Sequence, residues 1–172
     1  MLGTLAKWLR ILGYDTLFDP ALDDHQLARL ARAEGRVLLT RDRQLAQRRG
    51  VHSLLVESER LEGQIAQVVF ELNLDPANSF SRCPVCNERL VHLDREAARV
   101  RVPAYVARTH DTFKSCPGCD RVYWRGSHWQ QMEERIARLE PLDEEDLDAM
   151  PILPEQKERV RSRRGHSFDL AS

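Results

Sequence analysis

Three things are missing from this sequence, and each removes a class of protein. No stretch approaches the ~20 consecutive apolar residues a membrane-crossing helix needs. No segment repeats at a fixed period, which argues against a solenoid or an array. No cysteine lies outside two short clusters, so nothing is left over for an unpaired reactive thiol. Residues 1–12 form an amphipathic segment and not a secretory leader, so a secreted disulfide framework is not expected. Together with the cysteine usage, this points to the cytoplasm. Large net charge is missing as well: 26 basic and 27 acidic residues give −1. What remains is an ordinary soluble composition, 42% hydrophobic and 31% charged, over 172 residues. That length suits one domain with a small accessory module.

The four cysteines form two C-x-x-C pairs, Cys83/Cys86 in RCPVC and Cys116/Cys119 in CPGC. Two intervening residues let a tight knuckle aim both sulfurs at one ion, with backbone N–H groups partly neutralising the thiolates. Two such knuckles complete the closed S4 tetrahedron of structural Zn²⁺. The 29 residues between the pairs make a long insert, but closure cost grows slowly with length. Two disulfides or a redox pair are the plain alternatives. A redox C-x-x-C usually occurs once, beside a βαβ pattern.

The small net charge hides a division. Residues 1–75 hold ten basic and eleven acidic side chains, 76–131 nine and five, and 132–172 seven and eleven. The cysteine-bearing third is therefore net +4, which fits nucleic-acid contact without requiring it.

Along the chain, Leu2, Leu5, Trp8, Leu9 and Leu12 fall at helical spacing and Gly13 stands where a helix stops. Tyr14–Phe18 has the composition of a short strand. Asp23 or Asp24 caps a second helix that ends at Gly35. Val37–Thr40 predicts a buried strand, RQLAQRR a short helix to Gly50, Val51–Val56 another strand, and Leu61–Leu72 a longer helix. This alternation predicts an α/β domain with a mostly parallel sheet over 1–75. After the linker DPANSFS a metal module spans 82–132, with a short helix over 96–102 ended by Pro103 and another over 130–139. The acidic, then basic, stretch 141–172 reads as a flexible tail, its RSRRG cluster a solvated segment or an RNA-binding arm.

In an open α/β sheet, ligands bind beyond the carboxyl ends of the strands. Asp42 directly follows VLLT, and Asp23 and Asp24 stand at the helix start near that same end. Carboxylates converging there would suit a Mg²⁺ or Mn²⁺ phosphodiesterase site. An aspartate at a helix start is equally an ordinary cap.

The segments MLGTLAKWLRILGYDT, LDDHQLARLARAEGRVLLTRDRQLA, RCPVCN and CPGCDRVYWRGSHW resemble the Mut-seven C-terminal RNase family, a PIN-like nuclease domain followed by a zinc ribbon. The resemblance runs from Met1 to about Met132. It implies a three-layer α/β/α PIN-like sandwich, metal-dependent RNA cleavage and a tetrathiolate zinc. It carries over Asp24 and Asp42 as active-site acids, with Asp23 as the fallback. It also implies a strand ending in a liganding Asp just before Met1, and it departs at Gln44, where PIN-like relatives often place a further acid. The expectation is therefore either a start set too late or a chain that no longer cleaves. Two functions follow: a Mg²⁺- or Mn²⁺-dependent ribonuclease, or a catalytically incompetent relative that binds RNA or an RNA–protein complex.

Lys7, Arg10, Arg41 and Arg125 are the candidate RNA-binding cations, with a solvated helix face as the alternative for the first three. Tyr123, Trp124 and Trp129 could stack bases, although aromatics beside a metal knuckle usually supply the small core, the expectation for Trp129.

Overall fold

The computed structural model describes residues 2–137. The expected tail over 141–172, and the end of the helix expected over 130–139, fall outside the described residues.

The first helix, α1 (Gly3–Ile11), buries Leu5, Trp8 and Leu9. It stops at Gly13, whose φ of +95° favours glycine. A Cβ there would also lie 2.4 Å from the Asn78 carbonyl oxygen, so the chain's return fits only against a bare backbone. Helix α2 (Asp24–Glu34) opens with a reciprocal capping box. Asp23 accepts from the Gln26 N–H, and the Gln26 side chain accepts from the Asp23 N–H. It closes on Gly35 in the left-handed conformation.

There follow β1 (Leu38–Thr40), the single turn α3 (Arg43–Ala46), β2 (Ser53–Leu55) and α4 (Leu61–Glu71). Strands β1 and β2 run parallel, Leu39 opposite Leu54. The remainder comprises β3 (Val91–Leu93), α5 (Arg95–Arg99), α6 (Ala104–Thr109), β4 (Phe113–Ser115), β5 (Val122–Trp124) and α7 (Ser127–Ala137). Here β4 is central and antiparallel to both neighbours.

This corrects the expected fold class. Among the described residues the larger of the two sheets is the antiparallel one, and the parallel pairing is limited to two strands of three residues, so the expected mostly parallel sheet does not form there. The physical reason lies partly in Tyr14–Phe18, which is not a strand. The Thr16 N–H donates to the Asn87 side chain and its carbonyl accepts from Arg10, so these backbone groups serve side chains instead of a ladder. Antiparallel strands, by contrast, need only a tight turn, and the second knuckle is the turn between β4 and β5.

The main core joins α1, β2 and α4 through Leu5, Leu12, Leu54, Val56 and Val68, and it recruits Phe80 and Ile136 from beyond the expected first domain. Phe80 stacks on Trp129 at 3.9 Å between centroids, and its N–H donates to the Ile11 carbonyl. Trp129 thus fills core. The cysteine-bearing region has a smaller core of Ala98, Val106 and Phe113. Its insert holds two helices where one over 96–102 was expected: the first already ends at Arg99, and Pro103 occupies the N-cap of a second.

Candidate metal centre and the neighbouring acids

The two knuckles fold identically because their sequences match. In each, the cysteine N–H donates to the carbonyl five residues on (Cys83 to Glu88, Cys116 to Arg121), and the residue after the second cysteine donates back to the first cysteine's carbonyl. That residue has positive φ, +70° at Asn87 and +58° at Asp120. Asn and Asp tolerate this region best among non-glycine residues.

The four Sγ atoms lie within 4.8 Å of one another, with Cys83 and Cys119 at 3.6 Å and Cys86 and Cys116 at 3.2 Å. A tetrahedron with metal–sulfur bonds of ~2.3 Å has edges of about 3.8 Å, so the set fits one ion. All four cysteines are free, which sets the disulfide alternative aside. Backbone N–H groups of Glu88, Gly118, Cys119 and Arg121 reach the sulfurs, and the Tyr123 hydroxyl lies 3.1 Å from Cys83 Sγ. Burial, then the adjacent Cys83 sulfur, pushes that phenol well above its ordinary value, so it remains a proton donor.

The thiols themselves diverge. A hydrogen bond from Arg121 draws Cys119 down to about 6, whereas burial pushes Cys116 up to about 12. Because cysteines bind a metal as thiolates, an ion entering this set displaces protons from it.

Arg10, a candidate for phosphate, is placed elsewhere. It is buried, and it donates to the carbonyls of Thr16, Pro84 and Val85, the last two lying between the ligands of the first knuckle. Nothing in composition signalled this, because Arg10 lies off the apolar stripe. Beside it, Asn87 donates to Asp15, and Asp15 pairs with Arg36. Burial alone would raise the Asp15 carboxyl, but the hydrogen bonds from Asn87 and Arg36 outweigh it and hold it below the ordinary carboxylate value.

The other candidate cations are at the surface. Lys7 is exposed on α1, Arg41 pairs with Glu59 at 3.4 Å, and Arg125 pairs with Glu133. Arg41 and Arg43 line a shallow depression of about 340 Å³ with Leu55, Val56 and Glu57, beyond the carboxyl end of β2.

The acids behave as helix-start residues. Asp42 caps α3, its Oδ1 accepting from the N–H groups of Gln44 and Leu45 at 2.6 and 3.0 Å. Asp24 is the exposed first residue of α2, and its carbonyl accepts from Arg48. Among the described residues the four cysteines are the one group of three or more His, Cys, Asp or Glu side chains close enough to share an ion. No carboxylate cluster for Mg²⁺ or Mn²⁺ gathers there.

The family model described as Mut7-C RNAse domain matches residues 1–136. No curated protein and no solved structure matches the chain.

Proposed function

The chain belongs to the Mut7-C RNAse domain family, and from that premise we propose that it engages RNA, alone or within an RNA–protein complex, without cleaving it. The observation that carries the reading is the contrast between its two candidate centres. Four thiols converge within 4.8 Å, while Asp24 and Asp42 stand at separate helix starts with Asp42 committed to two backbone donors. In this reading Cys83, Cys86, Cys116 and Cys119 hold one Zn²⁺, which supplies closed structural coordination with no open position for a substrate. The +4 balance of 76–131 and the exposed Lys7 and Arg125 support contact with phosphates. A cytoplasmic location belongs to the same proposal.

The second reading, a Mg²⁺- or Mn²⁺-dependent ribonuclease using Asp24 and Asp42, is favoured by the family's description. One experiment separates the two: a labelled RNA of mixed single-stranded and structured regions is incubated with zinc-loaded protein and either metal, beside Asp42→Asn. Binding without cleavage, weakening steeply with salt as phosphate contacts do, is the expected result. Asparagine caps a helix as well as aspartate does, so the variant should fold normally. Metal-dependent cleavage that disappears in Asp42→Asn would replace the binding reading with the enzyme.

A further inference from the structure

We infer that Arg10 is an outer member of the metal centre, and that its guanidinium couples metal binding at the first knuckle to the seating of α1. The inference rests on the reading that the four cysteines hold Zn²⁺.

Arg10 is 7% exposed and reaches across 74 residues of sequence to the Pro84 carbonyl at 3.2 Å and across 75 to the Val85 carbonyl at 2.8 Å. Those are the two residues between Cys83 and Cys86. Their carbonyls both face one guanidinium in the closed knuckle, the same arrangement that brings the Cys83 and Cys86 sulfurs to the other two. The third bond, from Nε to the Thr16 carbonyl at 2.8 Å, fixes the irregular segment after α1 to the same fork. A second tether runs parallel to it, the Asn87 side chain accepting from the Thr16 N–H and donating to Asp15.

Charge points the same way. A buried guanidinium cannot shed its proton and needs a compensating negative charge. Four thiolates around a divalent ion carry a formal charge of about −2. Burial works against the Arg10 cation, and the sulfurs of Cys83 and Cys86 are the leading influences that favour it. The α1 region thus provides the knuckle with a cation, and the knuckle provides α1 with two acceptors and a counter-charge. Such coupling is reciprocal: whatever zinc adds to the hold on α1, Arg10 adds to the hold on zinc. Lysine would retain the charge but not the planar fork that spans two carbonyls.

The test uses the full chain. Zinc stoichiometry is measured first, then affinity by competition with a chromophoric chelator for the native protein, Arg10→Lys and Arg10→Met. In parallel, amide hydrogen exchange follows the native protein with and without chelator. Loss of an outer partner typically weakens metal binding about 10–100-fold. That range is expected for Arg10→Met, with Arg10→Lys between it and the native protein. Removing zinc should speed exchange over residues 3–11 by about tenfold or more, an effect of that size corresponding to the same coupling, while α2 is little changed. Should the variants fail to fold, the exchange experiment on the native chain decides alone. Zinc bound at full stoichiometry, with α1 indifferent to its removal, would overturn the coupling and leave the metal reading standing. A chain that binds no zinc would overturn both.

Discussion

The two halves of this molecule solve the problem of stability by different means. The first, built on α1, β2 and α4, contributes ten buried apolar residues to one cluster. The second, β3 to β5 with two short helices, has three, too few for a region of that size to depend on burial alone. Beside that small core stand four thiols close enough to share one ion. The difference teaches where each half draws its closing contacts. In the second half four thiols converge where core is scarce, and in the first the core is completed by Phe80, Trp129 and Ile136 from outside its own elements. The segment around Phe80 has the composition of a linker, yet it is where the halves are sewn together, by the stack on Trp129 and the bond from the Lys114 ammonium to the Phe80 carbonyl.

Removing the metal should break the comparison most completely. Cys116 is 1% exposed, and Cys116→Ser replaces a buried ligand with a poor one. Zinc binding contributes on the order of 10 kcal/mol to the folding of small zinc modules. The variant should lose zinc, and amide protection over β3–β5 should collapse while that of β2 and α4 survives. Collapse of the whole chain together would show that the first half has no independent stability.

A smaller effect should come from Trp129→Ala, which removes a half-buried stack. A cost of ~2–3 kcal/mol should appear as a lower urea midpoint, with zinc content unchanged. Loss of zinc in that variant would mean that the centre depends on the shared core.

The smallest effect concerns Asp15. Its folded pKa is depressed by Asn87 and Arg36, so its contribution is present above the unfolded value of ~3.9 and is lost as pH falls through the lower folded value. Because the group is partly exposed, that contribution should stay below about 1 kcal/mol. The stability gap between native protein and Asp15→Asn should be measurable by denaturant titration near neutrality and should vanish on acidification below that value. A gap that persisted in acid would assign the effect to shape and not to charge.

The metal centre was legible because C-x-x-C is a local device. The knuckle's hydrogen bonds span five residues at most, and the turn chemistry of Asn87 and Asp120 is written beside the ligands. Helix α2 was legible for the same reason, as Asp23, Gln26 and Gly35 set its ends by contacts within a turn. Strand pairing was not, because which backbone groups meet depends on groups distant in sequence. YDTLF has the composition of a strand and is held open by Asn87 and Arg10.

The sequence by itself therefore determined the two cysteine knuckles, the ends of α2 and the family, all carried by local motifs. Tertiary structure alone decided that the larger sheet is antiparallel, that Tyr14–Phe18 stays out of any ladder, and that Arg10 turns inward. Each of those outcomes rests on a contact made across dozens of residues or on competition for a hydrogen bond. Local pattern carries no record of who wins such a competition.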